Sequence, residues 1–205
     1  MTILDERTAV TAVPLHPVLA DRWSTRAYDG SPVDESALTA LLEAARWAPS
    51  AMNAQPWRFL VGRRGLEGAD TTWQAIHASL AEGNRLWADR ASVLIVATAR
   101  TSNADGTPRG VGPYELGLAV AQLSMQAHAD GLHVHQMGGF DPDAVRFTLN
   151  VPDDFTPYVV LAIGRRGDDD HLPEFLRARE AAARERLPLA EIAFAGTWGE
   201  AADLR

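Results

Sequence analysis

Two short runs with almost no polar side chain constrain the fold of this chain most: Ser92-Val93-Leu94-Ile95-Val96-Ala97 and Tyr158-Val159-Val160-Leu161-Ala162-Ile163-Gly164. Short runs of β-branched and aliphatic residues bounded by turn formers read as strands. A strand that is apolar on both faces belongs at the centre of a sheet covered on both sides. Trp57-Arg58-Phe59-Leu60-Val61 reads as another strand, ended by Gly62 and Gly65, and His133-Val134-His135 as a short extended piece ending at Gly138-Gly139.

Helical periodicity fills the intervals. Asp34-Glu35-Ser36 opens a helix whose Leu38, Leu41, Leu42 and Ala45 form one stripe, with Pro49 as its stop. Residues 71–89 read as one helix with Trp73, Ile76, Leu80 and Trp87 inward. Residues 114–130 form the strongest helix, with Leu116, Val120, Leu123 and Ala127 on one face. Gly117, Ala119 and Ala121 allow close neighbours, and Gly131 is the C-cap. Asp141-Pro142 starts a helix that runs to Leu149, and a charged helix runs from Pro173 to Arg186. Residues 101–112, with Gly106, Pro108, Gly110 and Gly112, are a loop and a candidate flap. Residues 1–15 read as a loose arm and 187–205 as an irregular tail carrying Ile192, Phe194 and Trp198. Helices and strands mixed around one sheet give an α+β class, as a single domain over 1–205.

Composition narrows the function. The 205 residues carry a net charge of −8, which disfavours nucleic acid and anionic membranes as partners but leaves room for a local arginine cluster that binds phosphate. With no cysteine there is no disulfide, thiolate nucleophile or cysteine-bound metal, so redox chemistry would need a bound cofactor. No apolar run approaches the roughly 20 residues of a membrane helix. Met1–Val13 mixes acids, Arg7 and threonines rather than forming a secretory signal, so a cytoplasmic location is expected. No GxSxG, GxGxxG or GxxxxGK[ST] pattern is present.

Four segments can carry chemistry. Arg22, Ser24, Arg26 and Tyr28 share a face if the segment is extended; Arg22 and Arg26 share one if it is helical. Either way two guanidinium groups and a hydroxyl converge, as an anion site or as a basic turn paired with Asp21 and Asp29. In Pro49-Ser50-Ala51-Met52-Asn53-Ala54-Gln55-Pro56-Trp57, Ser50, Asn53 and Gln55 suit either the edge of a planar heterocycle or a capping turn. Gly138-Gly139 exposes backbone N–H groups to a flat ligand, or is a plain turn. Arg184 and Arg186 at a helix end have a sufficient structural reason in the helix dipole. His133 and His135 share a strand face but lack a third metal ligand nearby, and no metal is expected.

Together these segments resemble the FMN-dependent nitroreductase family. Arg22-Trp23-Ser24-Thr25-Arg26-Ala27-Tyr28, Ala48 to Phe59, Gly138-Gly139-Phe140-Asp141 and Arg184-Glu185-Arg186-Leu187-Pro188 occur in the family's order and spacing. The resemblance implies a mostly antiparallel sheet sandwiched by helices and an intertwined homodimer. Residues 187–205 would cross to the partner, with two FMN sites built from both chains. It implies that Arg22, Ser24 and Arg186 hold the FMN phosphate, with Arg184 beside them and Trp23 in the same segment. Arg26 and Asn84 would approach the pyrimidine edge. Gly138 and Gly139 would be backbone donors toward N5 and O4, and Met137 beside them would also bind the cofactor. Pro49, Ser50, Ala51 and Asn53 would come from the second subunit.

The implied activity is ping-pong hydride transfer from NAD(P)H through flavin N5 to nitroaromatics, quinones or related small acceptors, with no catalytic side chain. Alternatives are a flavin-binding or regulatory protein without turnover, a reductive-dehalogenase-like or flavin-fragmenting branch of the fold, and a structural dimer without flavin. The chain departs from the family pattern at Trp23 (often basic or histidine), Trp87 (often lysine) and His135 (often aromatic), which bears on redox potential and substrate preference.

Overall fold

The computed structural model describes residues 7–103 and 105–204. The first six residues of the expected N-terminal arm lie outside the described residues. Five strands form one sheet: β1 (Trp57–Gly65), β2 (Gly68–Ala69), β3 (Val93–Arg100), β4 (His133–Met137) and β5 (Phe155–Gly164). Their order is β2-β1-β3-β5-β4, and every neighbouring pair is antiparallel. The helices are α1 (Pro17–Ala20), α2 (Glu35–Arg46), α3 (Thr71–Ser79), α4 (Glu82–Ala88), α5 (Gly112–Ala129), α6 (Pro142–Thr148) and α7 (Glu174–Ala181).

The two apolar runs occupy the middle of the sheet, as their composition requires. Along β3, Val93, Ile95, Ala97 and Ala99 enter a core under α2 and α5, while Leu94 and Val96 enter a second core under α3, α4, α6 and α7. On β5, Leu161 and Ile163 face the first core and Val160 and Ala162 the second. Residues buried on both sides cannot slip register without exposing apolar area. Truncating Ile95 to alanine would cost about 2–5 kcal/mol.

Several boundaries differ from the sequence reading. β1 runs through Gly62 instead of stopping there. A Cβ at Gly62 would collide with the backbone nitrogen of Trp73, so the glycine lets α3 cross close over the strand. The expected helix 71–89 is two helices. Leu80, extended at φ −67° and ψ 143°, bridges to Phe140, and long-range pairing wins over local periodicity. α2 ends at Arg46, before Pro49 could act. Gly131 does cap α5, at φ 72°, whereas Gly117 has no neighbour close enough to need a glycine. Asp141 caps α6 through Asp143 and Ala144.

α7 ends at Ala181, so Arg184 and Arg186 lie beyond it and the helix dipole does not explain them. The 101–112 loop closes on itself through Arg109 N–H to Thr101 C=O, Asn103 N–H to Thr107 C=O and a bridge between Ser102 and Pro108. The arm is tied down from Arg7 to Ala9: Ala9 N–H reaches Ala20 C=O, and the Thr8 hydroxyl donates to Asp21. The tail forms a 3-10 turn at Leu189–Glu191 and a small closure in which Phe194 packs on Trp198, yet Trp198 stays 91% exposed. No helix among the described residues is long and apolar enough to cross a membrane.

Candidate functional site

Residues 22–27 form no helix, and burial alternates along them. Trp23, Thr25 and Ala27 are buried, while Arg22, Ser24 and Arg26 are half-buried on the open side. This decides between the extended and helical alternatives. Tyr28 leaves the set: it is fully buried, its hydroxyl donates to the Ala162 carbonyl at 2.8 Å, and burial raises its pKa. Asp21 and Asp29 are not the arginines' partners, since Asp21 accepts from Thr8 and Asp29 caps Ser31.

The open side of this segment faces the residues after α7 across a cleft of about 270 Å³. Arg7, Arg22, Arg26, Arg179, Arg184 and Arg186 line it, with Ser24. Arg184 turns into place by donating to the carbonyls of Arg7 and Ala20, at 2.6 and 2.5 Å. Among the described residues no carboxylate is ion-paired with Arg22, Arg184 or Arg186. Burial, then repulsion from Arg186, pulls the Arg22 pKa down; burial, then Arg22 and Arg186, does the same at Arg184. A like-charge cluster of this kind is relieved by a polyvalent anion, and guanidinium forks suit phosphate oxygens. Trp23 forms a wall of the cleft, with Arg7 stacked 4.0 Å from its ring and Arg166 5.2 Å.

Arg26 differs from the others. Its guanidinium lies 3.3 Å from Glu180, a buried carboxylate on α7 that also accepts from Arg26 N–H at 3.0 Å and Thr25 Oγ1 at 2.9 Å. Behind Arg26 stands α4. Trp87 lies 6.0 Å from the Arg26 guanidinium and packs on Tyr28 and His135. One turn earlier on α4, Asn84 donates to the Gly139 carbonyl at 2.9 Å, and Ala81 N–H donates to the same oxygen at 3.0 Å. The break between α3 and α4 therefore anchors the glycine pair. Among the described residues nothing accepts from the N–H of Gly138 or Gly139, and both glycines are exposed. Met137 is different: its side chain is buried in the second core. His133 and His135 are held near pKa 4 by burial; His135 Nδ1 pairs with the Thr25 carbonyl, and the described residues contain no metal-type cluster.

The Pro49–Trp57 loop is not part of the arginine cleft. It is strained: Met52, Asn53 and Gln55 all have positive φ, at 51°, 55° and 46°. Three such non-glycine residues in one turn are costly, at about 1–3 kcal/mol each, and strain of this kind clusters at ligand sites. The turn is held by Gln55 N–H to the Ser50 hydroxyl at 3.0 Å and Ala51 N–H to Glu115 at 2.7 Å. Met52 projects fully into solvent.

Sequence reasoning missed Glu180, Glu115 and Arg7. Glu180 sits in a charged helix, where an acid reads as solvated surface. Glu115 leaves one signal, an acid in the first turn of an otherwise apolar helix. Arg7 falls in a segment that reads as loose.

The Nitroreductase family model matches residues 19–165. A 15.4 kDa uncharacterized protein from the ask 5′ region of Mycolicibacterium smegmatis is 38% identical over 146 residues, spanning 69% of this chain and 97% of that protein. An NADH dehydrogenase of Thermus thermophilus is 27% identical over 221 residues, spanning 94% and 96%. A solved oxidoreductase described as containing FMN superposes with a TM-score of 0.87 at 38% identity, over 98% of this chain and 100% of its own.

Proposed function

The chain belongs to the nitroreductase family, and on that premise we propose that it is an FMN-dependent NAD(P)H oxidoreductase that reduces nitroaromatics, quinones or related small acceptors. The observation that carries the reading is the cluster of Arg22, Arg184 and Arg186 with Ser24 across one cleft, ion-paired with no carboxylate among the described residues, a donor set for a phosphomonoester dianion. The N–H groups of Gly138 and Gly139, which no described residue accepts from, suit the polar edge of a flat ring. The solved oxidoreductase that superposes on nearly the whole chain is described as containing FMN, and the Thermus relative is named for NADH.

In this reading Arg22, Ser24, Arg184 and Arg186 hold the phosphate, with Trp23 as the wall behind it. Arg26 and Asn84 serve the pyrimidine edge, oriented by Glu180 and by the Gly139 carbonyl. Met137 contributes backbone only, since its side chain is in the core. Two subunits complete each site: Pro49, Ser50, Ala51 and Asn53 face the FMN held mainly by the other copy, in keeping with their absence from this chain's own cleft. The exposed Leu187, Ile192 and Trp198 supply the apolar surface by which the tail packs on that copy.

FMN, when bound, supplies the hydride-accepting and hydride-donating chemistry that the side chains lack. The chain's part is to hold the phosphate, orient the ring and present N–H donors where negative charge develops. No side-chain base or nucleophile is needed, and the buried, neutral His133 and His135 are not candidates.

Steady-state oxidation of NADH or NADPH by flavin-loaded protein, with menadione or a nitrofuran as acceptor, tests the activity. Turnover that needs both flavin and acceptor supports it. Flavin-loaded protein that oxidises neither nucleotide is a binder and not this enzyme. Protein that takes up no FMN sinks the flavin reading altogether.

A further inference from the structure

The turn from Ser50 to Gln55 does not hold its shape unaided. Met52, Asn53 and Gln55 all lie in the left-handed region, which residues with a side chain leave when nothing constrains them. The constraint comes from across the chain. Glu115 is buried in the first turn of α5, and one of its carboxylate oxygens accepts the Ala51 N–H at 2.7 Å. The other accepts from the Arg109 guanidinium at 2.9 Å, and the Arg109 N–H donates to the Thr101 carbonyl at 2.7 Å. Gly112 lets the start of α5 come this close, since a Cβ there would collide with the Arg100 carbonyl oxygen. The far end of the turn is held from the same strand ends: the Arg100 N–H donates to the Pro56 carbonyl at 2.9 Å, and the Arg58 guanidinium to the Gln55 carbonyl at 3.0 Å.

We propose that Glu115 and Arg109 are positioning residues for the flavin site: through the Ala51 N–H they hold the Ser50–Gln55 turn in the shape that meets a ring and ribityl chain bound mainly by the second copy, and the 101–109 loop is a fixed brace for that turn, not a flap. The proposal rests on the reading that this turn faces the flavin of the other copy, and it adds two residues that touch no ligand. A carboxylate that served stability alone could be replaced without loss of affinity in the folded protein. A positioning carboxylate shows in affinity, because a turn freed of its bond is in the binding shape for a smaller fraction of the time. The loss falls on the uncharged part of the flavin. The phosphate is spared, since the turn does not line the arginine cleft.

The test uses the full-length protein and two probes, FMN and riboflavin, titrated by flavin fluorescence at a temperature where melting curves show every variant folded. E115A should bind both ligands about ten-fold more weakly than the wild type. Its ratio of FMN to riboflavin affinity should stay within about two-fold of the wild type, whereas damage at the phosphate end would change that ratio. E115Q keeps an acceptor for the Ala51 N–H and should recover most of the riboflavin affinity. R109A, which removes the brace and leaves Glu115 in place, should weaken riboflavin binding about five-fold. Ile76→Val, a truncation in the second core away from the turn, should lower stability and leave both affinities unchanged.

Riboflavin affinity in E115A within about two-fold of the wild type overturns the proposal, and so does a loss in Ile76→Val as large as that in E115A. If E115A does not fold, R109A decides: riboflavin binding about five-fold weaker supports the brace, and binding within about two-fold of the wild type overturns it. Wild-type protein that binds neither FMN nor riboflavin defeats the flavin reading itself. Wild-type protein that binds both, with E115A and R109A binding as well, defeats only the positioning role, so the two failures are distinguishable.

Discussion

The carboxylate of Glu115 accepts the N–H of Ala51 at 2.7 Å, and with its other oxygen it holds the Arg109 guanidinium at 2.9 Å. One buried side chain at the start of α5 thus joins the strained 50–55 turn to the closed 101–109 loop. Removing it leaves the half-buried Arg109 guanidinium and the Ala51 N–H without this partner. Glu115→Ala should therefore destabilise the protein by about 1–3 kcal/mol, and Glu115→Gln by less, because the amide oxygen still serves Ala51. Urea unfolding checks this; an unchanged midpoint in Glu115→Ala would mean that the turn is held by other contacts.

Arg22 is expected to matter through its charge. Arg22→Ala removes one charge-assisted phosphate contact worth about 1.5–3 kcal/mol, or about ten- to a hundred-fold in FMN affinity. Riboflavin, which lacks the phosphate, should bind the variant and the wild type alike. Titration by flavin fluorescence separates the two ligands, and an equal loss for both would remove Arg22 from the phosphate end.

Gly62 gives a packing prediction. A methyl group there would overlap the Trp73 backbone, so Gly62→Ala should push α3 off β1 and lower stability by several kcal/mol, at least about 2. At Gly117, nothing lies within 4 Å of where a Cβ would sit, so the same change should be neutral or slightly favourable to the isolated chain. Thermal unfolding of the two variants distinguishes them.

His133 and His135 predict a direction in pH. Both have folded-state values near 4, below the ordinary value near 6.5, because burial disfavours the charged ring. Between those values the unfolded chain binds more protons than the folded one, so stability is intact above about pH 6.5 and falls as pH drops toward 4. His133→Gln should flatten part of that slope in unfolding measured from pH 7 to 4.

How much of this is legible in the sequence follows from where the forces act. β3 and β5 are readable because burial on both faces leaves only apolar side chains, and Asp141-Pro142 because capping is local. Leu80 reads as helical although its extended backbone answers to Phe140, sixty residues on. Gly62 reads as a stop because a glycine that admits another helix looks the same as one that breaks a strand. Arg184 and Arg186 read as part of α7 because Glu, Arg and Ala favour helix through 186, while the chain turns at Ala182, with ψ 143°. At the site, the arginine segment is visible by its spacing. Glu180, which holds Thr25 and Arg26 from α7, is not, because a buried acid on a charged helix has the same letters as a solvated one.

The tail makes a further prediction. If the tail makes the proposed dimer contact, ending the chain before Leu187, which removes the exposed Leu187, Leu189, Ile192 and Trp198, should leave a monomer in analytical ultracentrifugation with both cores intact. A truncated chain that sediments as a dimer would place the interface elsewhere.

The most direct test of the central claim is the visible spectrum of FMN-loaded protein, freed of excess flavin and titrated anaerobically with NADH or NADPH. The account predicts that the flavin absorption stays with the protein, bleaches on nucleotide addition and returns on addition of menadione. Protein that emerges colourless, or that keeps a flavin which neither nucleotide bleaches, would contradict it.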